Sequence, residues 1–182
     1  NLRIKIVVEH LFLPVESGLS YQLFLALLLG GIFGWLILFR FVGGVWALAI
    51  AVARFAILLI YLGWHVNSNW WLEGDSNNYI KSAVFLQKFW EKTGSIEKIV
   101  DLSFRLDLPP FYVLHNFLSL QMFGSYFYSP IILNTILLFG ATALLLLMIK
   151  KLLPSKNWQR GFVIFFIFHP SIIAWTTFNN TK

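Results

Sequence analysis

The chain has 182 residues, of which 58% are hydrophobic and only 12% charged, with a mean hydropathy of +0.73. A soluble domain carries roughly 25% charged residues, so this composition excludes an ordinary soluble domain and predicts an integral membrane protein. The net charge of +6 comes without an aromatic–basic nucleic-acid motif, which assigns the excess of Lys and Arg to cytoplasmic loops and excludes a nucleic-acid partner; the absence of cysteine excludes disulfide and thiol chemistry.

The apolar runs are continuous rather than alternating, which predicts helices and not a β-barrel. The expected fold is an all-α polytopic membrane protein. It has about four transmembrane helices of roughly 20 residues each, an amphipathic helix in an outer loop and a short half-inserted helix. The chain starts without Met and stops just beyond an apolar run, which predicts a piece of a longer polytopic protein.

Residues 1–20, with Arg3, Lys5, Glu9, His10 and Glu16, are expected to be interfacial. Residues 21–71 hold the first helices. Tyr21 to Phe39 is the first span, and Gly30 and Gly34 have the spacing that lets another helix approach closely. A helix over 45–64 would place Arg54 near its centre, at a cost of about 2.5–3.5 kcal/mol. A shifted register removes that cost. It puts Arg40 and Arg54 at the cytoplasmic face, makes 41–53 a short interfacial or re-entrant piece and runs the span from Phe55 to about Trp71. The alternative keeps Arg54 inside the membrane, facing a lipid phosphate.

Residues 72–108 are the long polar segment, with six acids and five bases. Within it Ser76–Lys92 is predicted as a helix. Tyr79, Ala83, Leu86 and Trp90 fall on one stripe, beside Ile80 and Val84, which predicts a helix lying flat on the membrane surface. Pro109-Pro110 stops any helix arriving from 96–108 and starts a new one. Residues 109–182 supply further membrane helices. Pro110–Gly124 is short for a span, 130–149 is a full span, and 161–178 is a last apolar segment interrupted by His169-Pro170. The connector 150–160 carries Lys150, Lys151, Lys156 and Arg160 and no acid, which places it in the cytoplasm of an inner-membrane protein. The loop 72–108 is then on the outer face. One crossing must separate the two, so 110–124 is the segment that does not span.

These features, in this order, resemble the N-terminal part of the GT-C superfamily of polytopic glycosyltransferases, in its protein-mannosyltransferase and aminoarabinose-transferase-like branch. The resemblance rests on Asp75 in an outer loop with Ser76, Asn77, Asn78, Tyr79 and Ala83 behind it, and on Pro109-Pro110-Phe111-Tyr112. It continues through Phe123-Gly124, Asn134, Lys150-Lys151-Leu152, Pro170 and Asn179-Asn180-Thr181-Lys182, covering roughly residues 60–182. Many relatives carry two adjacent acids where this chain has Asp75-Ser76.

The resemblance implies transfer of a sugar from a polyprenyl-phosphate donor to a hydroxyl acceptor at the outer face. Asp75 then takes the acceptor proton, while Glu73, Tyr79, Arg105 and Lys182 are the candidate substrate-binding residues, the two cations for the lipid phosphate. The residues themselves leave Asp75 open between that role and an ordinary helix N-cap. Arg105 is equally placed to pair with Asp101 or Asp107. His115 and His169 lie in apolar segments and are expected to be buried and hydrogen-bonded. No metal-site spacing is present, so no cofactor is expected beyond a divalent cation loosely held at Asp75. The rival functions are a polysaccharide polymerase or flippase-like envelope protein, and a non-catalytic transporter or scaffold subunit.

Overall fold

The computed structural model describes residues 21–68, 75–106, 109–126, 128–153 and 155–177. Among them the chain is all-helical. The helices are α1 (Tyr21–Val42), α2 (Gly44–Ser68), α3 (Asp75–Thr93), α4 (Ile96–Phe104), α5 (Pro110–Phe123), α6 (Ser129–Ile149), α7 (Lys156–Phe168) and α8 (Pro170–Thr177). The chain divides into two compact units. The first comprises Leu19–Trp64 and Ile131–Asn179, the second Asn1–Gly18, His65–Pro130 and Asn180–Lys182.

The first unit contains α1, most of α2 and α6, and all of α7 and α8. Gly43 has φ +87°, a conformation that a residue with a Cβ rarely adopts. This one residue ends α1, its N–H donating to the Phe39 carbonyl at 3.0 Å, and α2 starts directly after it. Arg160 on α7 closes the turn. Its Nε donates to the Val42 carbonyl at 3.0 Å, and its guanidinium lies 5.6 Å from the Trp46 ring centroid. The basic connector and the α1–α2 turn, with Arg40 close by, thus share one end of this unit.

Two stretches are long and apolar enough to cross a membrane, Gly44–Tyr61 in α2 and Ser129–Ile149 in α6. Both carry exposed large apolar side chains, among them Val45, Val52 and Ile60 on α2 and Leu144 and Met148 on α6. Water penalises such a surface and hydrocarbon does not.

The expected register around Arg54 is corrected here. Residues 44–68 form one continuous helix, and Arg54 lies inside the Gly44–Tyr61 stretch, completely buried. The short re-entrant piece expected over 41–53 is absent, because the only break that the Gly-rich sequence makes is Gly43. The cost that argued against this register applies to a charge in lipid; here protein surrounds the guanidinium instead. The last apolar segment also differs. His169 is extended, at φ −60° and ψ +130°, as a residue before proline prefers. This splits 161–178 between α7, of 13 residues, and α8, of 8, each too short to span alone.

The space over Gly30 and Gly34 is filled by side chains from other helices. A Cβ on Gly30 would lie 2.9 Å from the Phe55 ring, and one on Gly34 would lie 2.6 Å from the ring of Phe139. The two rings meet each other with centroids 6.1 Å apart. Phe139 is completely buried and has no room to withdraw. Gly34→Ala should therefore destabilise the protein in detergent by about 1–3 kcal/mol, the usual range for overpacking, as measured by its unfolding midpoint. Gly140→Ala, where an added Cβ meets nothing within 4 Å, should leave the midpoint in place.

The second unit is a cluster of α3, α4 and α5, each in contact with the other two. Gly94 (φ +59°) ends α3, and the Ser95 side chain caps α4 by accepting from the Lys98 N–H at 3.4 Å. Pro110 opens α5 at its first position and Gly124 (φ +89°) closes it. The predicted helix Ser76–Lys92 is present with one more residue at each end. Its predicted surroundings are not. Tyr79, Ile80, Ala83, Val84 and Leu86 are all buried, so the stripe assigned to the membrane surface is the core of this unit.

Candidate functional site

The candidate site is the α3–α5 pair in the second unit. Tyr79 on α3 is buried, and its ring meets the edge of Tyr112 on α5 with centroids 4.6 Å apart at 62°. Tyr112 in turn stacks on His115 at 6.1 Å and 29°. Further along, Trp90 meets Phe117 edge-on at 6.4 Å. Ser125, just after α5, donates to Gln87 Oε1 on α3 at 2.9 Å. Asn116 and Ser119, both buried, are satisfied within α5. Asn116 Nδ2 donates to the Tyr112 carbonyl at 2.8 Å, and Ser119 Oγ to the Asn116 carbonyl at 2.7 Å. This is the usual way that a buried polar group avoids its desolvation penalty.

Burial sets the chemistry of the two titratable rings. It pushes the Tyr112 phenol up to about 12, with the nearby Tyr79 adding to the effect, so Tyr112 is a neutral hydroxyl donor at physiological pH. Burial likewise holds the His115 imidazole below its ordinary value, so it is neutral too. The expectation for His115 was burial with a hydrogen bond. Its nitrogens are buried, but neither has a partner among the described residues. His169 does have one, its Nδ1 accepting from the Ser171 N–H at 3.3 Å.

The sequence-predicted site residues are distributed as follows. Asp75 is the first residue of α3; its side chain lies outside the described part of the structure, as do Glu73 and Lys182 altogether. The loosely held cation expected at Asp75 has the same standing. Among the described residues no group of three potential metal ligands occurs. Tyr79 is in the core of the pair. Arg105 is exposed and pairs with Asp101 at 2.7 Å, one helical turn away. An exposed pair of this kind is worth at most about 1 kcal/mol, which leaves the guanidinium exchangeable. The partner of Tyr79 was not foreseen. Tyr112 stood out only as one of several aromatics after Pro109-Pro110, and nothing local in the sequence says which of them α3 covers.

No protein-family model, curated protein or solved structure matches the chain.

Within the first unit stands one further polar centre. The Arg54 guanidinium donates through Nη2 to the Thr176 hydroxyl on α8. Thr176 Oγ1 donates onward to the Ile172 carbonyl at 2.6 Å. Arg54 and Thr176 are distant in sequence, and the break at His169-Pro170 lies just ahead of the helix that carries Thr176. A hydrogen bond to a charged group contributes about 1.5–3 kcal/mol. Thr176→Val should lower the stability of the detergent-solubilised protein by that amount, while Thr176→Ser, which keeps the hydroxyl, should retain most of it.

Proposed function

We propose that this chain belongs to a membrane glycosyltransferase that moves a sugar from a polyprenyl-phosphate carrier to a hydroxyl acceptor, with Asp75 as the base. The observation that carries the reading is the contact between Tyr79 and Tyr112. These residues sit in two of the segments on which the resemblance rests, Asp75–Tyr79 and Pro109–Tyr112. The segments are far apart in sequence, and the α3–α5 pairing brings them together. Motifs that belong to one site must meet, and helices that merely decorate a loop need not.

In the proposed reaction the acceptor oxygen attacks the anomeric carbon and forms the new glycosidic bond. The bond from that carbon to the phosphate oxygen breaks, and the polyprenyl phosphate leaves with the electron pair. Asp75 takes the acceptor proton as the new bond forms. Cationic side chains are needed at the phosphate, where charge develops; Arg105 and Lys182 are the proposed ones, and Glu73 and Tyr79 are the other proposed substrate-binding residues. Asp75 at the first turn of α3 also has its backbone where helix N–H groups point outward, a setting that favours an anion.

The proposed topology places the connector 150–160 in the cytoplasm and the 72–108 loop on the outer face of the inner membrane. Two observations support it. The Arg160–Val42 hydrogen bond gathers Arg160, Arg40 and the basic connector at one end of the first unit, as a positive cytoplasmic face requires. The chain between the spans Gly44–Tyr61 and Ser129–Ile149 begins and ends at their opposite ends. Under this proposal α1 and the α7–α8 segment complete a set of four membrane passages.

The deciding experiment is Asp75→Asn in the full-length protein in membranes, supplied with a polyprenyl-phosphate sugar and a hydroxyl acceptor. Asn keeps the size of Asp and a hydrogen-bonding oxygen at this first position of α3 but takes no proton. Transfer should fall by at least about 100-fold, the low end for loss of a general base, with the helix content unchanged. Undiminished transfer, or a loss that tracks unfolding, would leave Asp75 as a structural residue of the first turn of α3.

A further inference from the structure

Helix α4 has three faces. Ile99 and Ser103 are buried, with Leu102 half-buried beside them, and they turn inward to α3 and α5. Glu97, Lys98, Asp101 and Arg105 are exposed and fill a second sector. The third sector holds Ile96, Val100 and Phe104, which are 69%, 37% and 58% exposed. At i, i+4 and i+8 these three lie within a quarter turn of one another. A helix at a protein–water boundary needs two faces, one apolar and inward, one polar and outward. Here the apolar character appears twice, and the second time it points away from the protein.

That outward stripe continues onto α5. Phe104 meets Phe111 edge-on with centroids 6.1 Å apart. Phe111, 78% exposed, shares one line of α5 with Leu118 and Met122, also exposed, at i, i+7 and i+11. Six large apolar residues on two helices thus make one continuous exposed band. The charged sector of α4 runs along its edge, with Lys98 and Arg105 long enough to keep their charges in water while their stems lie on apolar surface.

What covers this band follows from where the chain goes. The segment of the second unit that carries α3, α4 and α5 begins at His65, four residues after the spanning stretch Gly44–Tyr61, and ends at Pro130, inside the spanning helix Ser129–Ile149. A unit tied at both ends to membrane spans has the bilayer within reach at all times. We propose that the band formed by Ile96, Val100, Phe104, Phe111, Leu118 and Met122 is immersed in the hydrocarbon boundary of the bilayer, with the Glu97–Arg105 face in the headgroup and water layer. This rests on the membrane reading of the two spans. It assigns the membrane-surface role to α4 and the outer side of α5, and not to α3. It also makes the lipid layer itself one wall of the second unit, so a lipid-linked substrate would arrive along that side.

The chain has no cysteine, so single cysteines can be placed at will. The full chain is reconstituted in phosphatidylcholine–phosphatidylglycerol vesicles with a polarity-sensitive fluorophore at Phe104, Leu118, Lys98 or Leu48, and lipids carrying a shallow nitroxide quencher are added. Phe104 and Leu118 should be quenched at least about twofold more than Lys98, as expected for side chains buried in the headgroup–acyl boundary. Leu48, exposed one turn inside the α2 span, should be quenched at least as strongly as they are. Failure at Leu48 overturns the membrane reading. Quenching at Leu48 with Phe104 and Leu118 no different from Lys98 overturns this proposal alone. Protection of Phe104 and Leu118 from both lipid nitroxide and aqueous iodide overturns it as well, since protein would then cover the band.

Discussion

The apolar stripe of α3 has to be covered, and the cover that the chain supplies is α5. Tyr79, Ala83 and Leu86 are buried although α3 also carries Lys81, Lys88 and Lys92 and has the most polar sequence of the long helices. A helix of that composition gains little stability by itself; its packing partner is what holds it. The partner is delivered by Pro109-Pro110, where one helix cannot continue and the next begins at Pro110. Once α5 lies on α3, the Tyr79–Tyr112 contact, the burial of Asn116 and the Ser125–Gln87 hydrogen bond all follow. So does the position of α4, which is trapped between the ends of its neighbours and turns its surplus apolar face outward.

The first unit answers a different constraint. Its spans have apolar surface to spare, and close packing comes from removing side chains instead of adding them. Gly30 and Gly34 receive the rings of Phe55 and Phe139. Small polar residues cost nothing there because each bonds to its own helix: Thr135 Oγ1 donates to the Ile131 carbonyl at 3.0 Å and Thr142 Oγ1 to that of Leu138 at 2.7 Å. Arg54 is the exception, a full charge that needs a partner from another element. Thr176 supplies one, brought in by the short helix that His169-Pro170 makes possible. A break that looks like damage to a span thus serves a polar contact within the unit.

Much of this was legible in the sequence, and what escaped has physical causes. The limits of α3, α5 and α6 were readable because proline, glycine and the periodicity of apolar residues act locally. The close-approach glycines were readable too, but not the aromatic rings that fill them, since Phe55 and Phe139 come from separate helices. The register around Arg54 was misread because hydropathy prices a charge against lipid and takes no account of neighbouring helices. The stripe of α3 was seen and its cover was not: periodicity identifies an apolar face and is silent on whether protein or lipid meets it. Helix α4 was left open, as any helix arriving from 96–108, because its charged sector masks the apolar periodicity. Of the candidate site, Tyr79 was found from its place in a motif. Tyr112 needed the fold, and His115 was foreseen as buried but not as lacking a hydrogen-bond partner.

The central claim is that α3 and α5 form one unit through Tyr79 and Tyr112. A double-mutant cycle tests it most directly, with Tyr79→Leu, Tyr112→Leu and the pair compared by unfolding of the full chain in mild detergent. The account predicts a coupling of about 0.5–1.5 kcal/mol, the range for an aromatic pair in edge contact. Strict additivity of the two substitutions would mean that the rings do not meet, and would contradict it.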